Sequence, residues 1–124
     1  MTAAGLKYLI AVNDLGAAGI KITEISEKMG ISKVSVYRAV SRLEASGYTV
    51  RDEKNRVVIT EQGKEQLEKY NLLTSLLAHH LNTCGQIRAE VAKEDAINAV
   101  CAVSDECRDA IFKLLTAKAK GENK

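Results

Sequence analysis

No proline occurs among the 124 residues, where average usage would place about six. Proline breaks helices and stiffens linkers, so a chain without it favours helices joined by short connections. The sequence also holds a single Phe, four Tyr and no Trp, few of the aromatic residues that populate strands. Together these features argue against an all-β sandwich and against any proline-rich linker. With 46% hydrophobic and 27% charged residues, the chain has enough apolar material for a modest core and does not read as disordered. A chain of this size is expected to form one domain, or a small domain with a dimerising extension.

The segment Met1–Tyr8 has neither the basic stretch nor the apolar run of a signal peptide. No run approaches the roughly 18 apolar residues of a membrane span. Three cysteines, an odd number, fit a reducing compartment. The expectation is a cytoplasmic protein with no membrane partner. The net charge of +2 is too small to indicate nucleic acid by itself, but the excess lies in the first 69 residues. Six basic residues (Lys33, Arg38, Arg42, Arg51, Lys54, Arg56) stand against three acidic ones (Glu44, Asp52, Glu53) in one stretch. That local excess is compatible with phosphate contact. An enzyme is disfavoured, because the sequence has no Gly-rich phosphate loop, no nucleophile–base pair and no metal-hydrolase spacing.

Hydrophobic spacing predicts a first helix from Ala3 to Leu15, with Leu6, Leu9 and Ile10 on one face and Gly16 and Gly19 at its exit. Ile20-Lys21-Ile22 reads as a short strand or extended entry. Thr23 is the expected N-cap of a helix over Glu24–Met29, which Gly30 ends. Ser32 caps a longer helix from Lys33 to Ser46, whose Val36, Ala39, Val40 and Leu43 form one apolar stripe. Tyr48–Arg51 and Arg56–Ile59 read as two strands around the turn Asp52–Asn55. Thr60 caps a long helix carrying Leu67, Tyr70, Leu73, Leu77 and Leu81, interrupted at Cys84-Gly85. A helix over Glu90–Val103 is expected to bury Ala96, Ile97, Val100 and Cys101. Ser104 caps a last helix with Cys107, Ile111, Leu114 and Leu115 on its apolar stripe, and the charged tail Lys118–Lys124 is expected to fray.

Helix, Gly-containing turn, helix, hairpin, helix is the order of a winged helix-turn-helix. The fold class is therefore mainly α: three helices plus a β-hairpin wing, followed by a helical dimerisation region. The expected division is a DNA-binding domain over 1–69 and a dimerisation domain over 70–124. The helix after Ser32 suits the major groove of double-stranded DNA, and the basic hairpin suits phosphates or the adjacent minor groove. Arg38 is the candidate for reading a base, since a guanidinium grips guanine with two hydrogen bonds. Ser32, Lys33, Ser35 and Arg42 stand where phosphate or short base contacts are made, and Lys54 and Arg56 where a wing meets the backbone. Tyr37 either faces DNA or covers the hairpin. Arg51 reads as a solvated surface residue.

These segments resemble the diphtheria-toxin-repressor and manganese-transport-regulator family of metal-dependent bacterial repressors. The likeness runs through Leu6-Lys7-Tyr8-Leu9, Ile25-Ser26-Glu27, Ser32–Glu44, Ile59-Thr60-Glu61-Gln62-Gly63, Glu94-Asp95-Ala96-Ile97 and Val103-Ser104-Asp105-Glu106. It implies a homodimer, with a winged helix from each subunit and the later helices (residues 70–124) as the dimer interface. It also implies a switch worked by iron(II), manganese(II) or a related ion. The family's ligand positions fall here at Lys7, Ile10, Tyr70, Thr74, Ile97, Val100 and Cys101. Of these side chains only Cys101 is a transition-metal ligand, so the usual switch is expected to be lost.

A remodelled site would draw on Cys101, Cys107, His80 and Cys84, with His79 adjacent, and would suit a softer transition metal ion such as zinc or copper(I). Cys101 and Cys107 also read as small core residues on their apolar stripes, and we prefer that reading. Three functions follow: a dimeric DNA-binding regulator without the metal switch, a metal-responsive repressor with a remodelled Cys/His site, and a winged-helix interaction module that does not bind DNA.

Overall fold

A computed structural model of the chain describes residues 1–16 and 18–119. In order they form α1 (Ala3–Leu15), α2 (Ile22–Met29), α3 (Lys33–Ala45), β1 (Thr49–Arg51), β2 (Val57–Ile59), α4 (Glu61–Thr83), α5 (Ala89–Ala102) and α6 (Asp105–Ala119). The chain divides into two compact units, Met1–Glu68 and Lys69–Lys124.

The first unit is a winged helix-turn-helix. Thr2 caps α1 by accepting the Gly5 N–H, and Leu6, Leu9 and Val12 are buried along one face. Helix α2 begins two residues earlier than the expected N-cap Thr23 would place it. Ile20 exchanges two backbone hydrogen bonds with Val57, so the chain turns into the helix directly after it. The Glu24 carboxylate then accepts the Lys21 backbone N–H. Thus the expected strand at 20–22 shrinks to Ile20 alone, and Thr23 lies exposed in the first turn.

Gly30 ends α2 with φ of 67°, a left-handed conformation that glycine adopts without steric cost. The Ser26 carbonyl accepts the following Ile31 N–H, and Ile31 packs against the core. This compact turn fixes how α3 departs from α2. Ser32 caps α3 as expected, accepting the Ser35 N–H at 3.2 Å.

Val36 and Val40 of α3 are fully buried with Val12, Ile20, Ile25 and Val57. Each such side chain contributes about 1.5–3 kcal/mol through burial, so this cluster holds α3 by its inner face. The wing pairs antiparallel, Thr49 opposite Ile59 and Arg51 opposite Val57. Tyr48 and Arg56 fall just outside its strands. Thr60 closes the wing onto α4: its Oγ1 donates to the Gly47 carbonyl at 2.6 Å and accepts the Gly63 N–H at 3.0 Å.

In the second unit Tyr70, Leu73 and Thr74 of α4 and Ala92, Ala96, Ile97 and Val100 of α5 are buried. Cys101, expected among the buried set, is only half-buried. Ser104 caps α6, accepting the Cys107 N–H. The expected buried stripe of α6 is not what the structure buries. Cys107 is exposed, Ile111 is 39% and Leu114 65% accessible, and only Leu115 is half-buried. Arg108 is buried instead, at 3% exposure, because its guanidinium satisfies backbone carbonyls at the end of α5. Helix α6 continues to Ala119, past the expected onset of fraying, and residues 120–124 lie outside the described residues. No helix among the described residues is long and apolar enough to cross a membrane.

Candidate nucleic-acid interface

Helix α3 is held by one face and free on the other. Val34, Tyr37, Arg38 and Ser41 project from the outer surface, with Val34 61% and Tyr37 58% accessible. Lys33, Ser35 and Arg42 are exposed at its flanks. The one acid of the helix, Glu44, is engaged by the Arg51 Nε at 2.8 Å. The outward face therefore presents guanidinium, ammonium, hydroxyl and apolar groups with no competing carboxylate. That mixture suits base edges and phosphates.

Arg51, read from sequence as a solvated residue, is instead a strut between wing and helix. It bonds Glu44, donates to the Asn55 Oδ1 at 2.9 Å, and lies 5.9 Å from the centre of the Tyr37 ring. Tyr37 thus meets the hairpin through Arg51 over its ring while most of its side chain stays open to solvent.

The turn of the wing is organised by Asp52. Its carboxylate accepts the backbone N–H groups of Lys54 and Arg56 and the Arg56 Nε at 2.7 Å. The Arg56 backbone N–H, with its guanidinium, holds the Asp52 carboxyl below the usual carboxylate range despite some opposing desolvation. The depressed pKa means that this support is present above the unfolded carboxyl's pKa and is lost as pH falls through the folded one. Arg56 is consequently half-committed to the turn. Lys54 stands exposed at the tip, the better placed of the two for a phosphate.

Of the residues expected at DNA, α3 and its cap bring together Ser32, Lys33, Ser35, Tyr37, Arg38 and Arg42. Ser32 and Ser35 are also bonded to each other, Oγ to Oγ at 2.9 Å. Sequence reasoning missed Val34. Its signal was legible: an apolar residue out of phase with the Val36–Val40–Leu43 stripe, on a surface otherwise polar.

The expected metal positions carry a donor set that does not fit a divalent ion. Lys7 is an ammonium, Ile10, Ile97 and Val100 are hydrocarbons, and Tyr70 and Thr74 are hydroxyls. Burial pushes the Cys101 thiol up in pKa, away from the thiolate a metal needs. The alternative set of Cys101, Cys107, His80 and Cys84 is not assembled. Among the described residues no three His, Cys, Asp or Glu side chains are grouped to hold a metal. Cys84 and His80 are exposed at the end of α4, Cys107 is exposed on α6, and Cys101 is half-buried on α5. The His80 Nδ1 is already at 3.0 Å from the Leu76 carbonyl.

A three-helix unit with a tight helix-helix turn and a two-stranded wing is the fold of winged helix-turn-helix transcriptional regulators. No family model matches the sequence, and no curated protein matches it. Among solved structures, the chain is similar to the hypothetical protein SSo2273 from Sulfolobus solfataricus, with a TM-score of 0.69 and 24% identity over 93% of this chain and 89% of that one. It is also similar to IdeR of T. acidophilum (TM-score 0.60, 18% identity) and to ScaR, solved with bound Zn2+ (TM-score 0.56, 27% identity). Each of these matches covers 90% of this chain and 53% of the other. Both are regulators of the diphtheria-toxin-repressor family, so the structural likeness falls where the sequence resemblance does. This chain spans about half the length of IdeR and of ScaR.

Proposed function

We propose that this protein is a dimeric, DNA-binding transcriptional regulator that reads a near-palindromic operator through α3 and works without the metal switch of the repressors it resembles. The observation that carries this reading is the outer face of α3, where Val34, Tyr37, Arg38 and Ser41 are exposed while Glu44 is neutralised by Arg51. In this reading Arg38 reads a base, Val34 packs against a thymine methyl, and Lys33, Ser35, Arg42 and Lys54 meet phosphates. Ser32 acts chiefly as the cap that sets the start of α3. Residues 1–69 form the DNA-binding domain and residues 70–124 the dimerisation domain.

Dimerisation is supported by the second unit. Val103, Ile111 and Leu114 are exposed apolar residues. Beside them an open, apolar groove of about 480 Å³ is lined by Leu73, Leu76, Leu77 and Leu115 with Ile111. A single chain leaves this surface to water at a cost that a second copy would remove. Two-fold symmetry would then set the recognition helices about 34–36 Å apart, one turn of DNA.

The test is fluorescence anisotropy with the protein's own upstream DNA over a salt series, with chelator and with added manganese(II), iron(II) or zinc. The expected result is tight binding by a dimer that weakens steeply with salt and is unmoved by chelator or metal. Salt-insensitive or absent binding would replace this reading with an interaction module. Dependence on metal would restore a switch whose ligands lie elsewhere.

A further inference from the structure

Beside the recognition face, α3 forms one wall of a cleft whose other wall is the start of α1. The cleft encloses about 450 Å³, within the range of about 300–1,000 Å³ that small-molecule sites occupy. Arg38 and Arg42, one helical turn apart, line it together with Tyr8, Tyr48, Ala4 and Leu43. No acidic residue is among its lining.

Of the six arginines, Arg38, Arg42 and Arg88 hold no carboxylate among the described residues, and of these only Arg38 and Arg42 share a helix. Arg51, Arg56 and Arg108 each hold a carboxylate. Among the described residues no carboxylate pairs with Arg38 or Arg42. Two cations without counter-charge, in a cleft that carries the apolar surfaces of Ala4, Leu43 and the two tyrosine rings among the hydroxyls of Thr2, Ser35 and Ser46, define a ligand with two parts. A planar carboxylate matches the guanidinium fork, and a flat apolar body matches the alanine, leucine and tyrosine side chains behind it. A bare inorganic anion would leave the apolar side chains unused, and a neutral aromatic compound would leave the charges unanswered.

We propose that this cleft is an effector site for a small aromatic carboxylate, and that its occupation releases DNA. The second half rests on the function proposed above, because Arg38 and Arg42 are the same side chains assigned there to base and phosphate. A carboxylate bound to them withdraws both from the operator, and by linkage DNA weakens the anion in equal measure.

The experiment separates the two halves. Sodium benzoate is titrated into the full-length protein without DNA, following backbone amide chemical shifts, with acetate, inorganic phosphate and benzamide in parallel. Saturable shifts at Gly5, Ala39 and Leu43 are expected with benzoate, and responses about tenfold weaker or absent with the other three. The variant Ala4→Phe, which puts a ring into the cleft from its α1 wall and substitutes neither arginine, is expected to cost benzoate about tenfold in affinity while keeping a dispersed spectrum. Saturating benzoate should then weaken operator binding about fivefold or more in the wild type and leave Ala4→Phe unaffected. No saturable shift with benzoate, an equal response to acetate, or unchanged benzoate affinity in Ala4→Phe would overturn the site. If the wild type binds no DNA at all, the proposed function fails while the titration still decides the cleft. Benzoate binding with undiminished operator affinity would overturn the release.

Discussion

The guanidinium of Arg108 lies over the ring of Tyr70, 4.6 Å from its centre. The same group donates to the carbonyls of Val100 at 3.2 Å and Val103 at 2.8 Å and to the Asp105 carboxylate at 2.7 Å. A buried side chain of α6 thus closes the C-terminal end of α5, where unpaired carbonyls and the helix dipole favour a cation. Tyr70 is also one of the positions at which the resemblance expects a metal ligand. A fixed positive charge against its ring would repel a second cation there.

Arg108→Ala is expected to lower the unfolding free energy by about 1–3 kcal/mol, since it strands buried carbonyls. Arg108→Lys should recover only part of that, because an ammonium lacks the fork that reaches three acceptors. Urea titrations of the three proteins provide the check. Equal stability for all three would mean that the α5 end is satisfied without the guanidinium.

Gly63 is required by a close approach. A Cβ there would stand 2.2 Å from the Tyr48 carbonyl oxygen and 2.8 Å from the Ile59 Cγ1. Gly63→Ala should therefore push α4 off the wing. The expected cost of about 1–3 kcal/mol outweighs the gain of up to about 1 kcal/mol that alanine brings to a helix interior. Thermal unfolding monitored by circular dichroism would show a lower midpoint, and an unchanged or raised one would contradict the packing.

Arg38 and Val34 are expected to fail differently on DNA. Arg38→Ala should lose about 1–3 kcal/mol of discrimination against a changed base pair at one operator position. Val34→Ala should lose about 1 kcal/mol, the worth of its exposed methyl contact, and only against operators with thymine at the contacted step. Competition binding with single-base-pair operator variants reads both. If either variant keeps the wild-type preference, its assigned role is removed.

The thiols report on the second unit. In a Cys84→Ser/Cys107→Ser protein, Cys101 should react with a disulfide reagent about tenfold more slowly than free cysteine, because burial both covers it and raises its pKa. In a Cys84→Ser/Cys101→Ser protein, Cys107 is open in the single chain but shares a face with Ile111 and Leu114. Its reactivity should fall as protein concentration is raised through dimer formation. A rate independent of concentration would exclude that face as the dimer contact.

The winged unit was largely legible from local chemistry. The left-handed stop at Gly30, the Ser32 cap, the i, i+4 and i+7 spacing of Val36, Val40 and Leu43 and the Thr60 cap on the Gly63 N–H are each signals within a turn or two of chain, so spacing alone identifies them. Where a distant partner intervenes, the reading shifts. The bonds between Ile20 and Val57 moved the start of α2, and Glu44 turned Arg51 from a surface charge into a strut.

The absence of proline and the order of caps and glycines determined by themselves that this chain is helical with one hairpin, because those signals are local. Only the tertiary structure decided which face of α6 is covered. Periodicity marks an apolar stripe but not what meets it. The carbonyls at the end of α5 draw Arg108 inward, and Ile111 and Leu114 are left outside. The tertiary structure likewise set the pair Arg38 and Arg42, which the i, i+4 spacing of α3 already brings together, against the start of α1, a wall that no spacing within α3 contains.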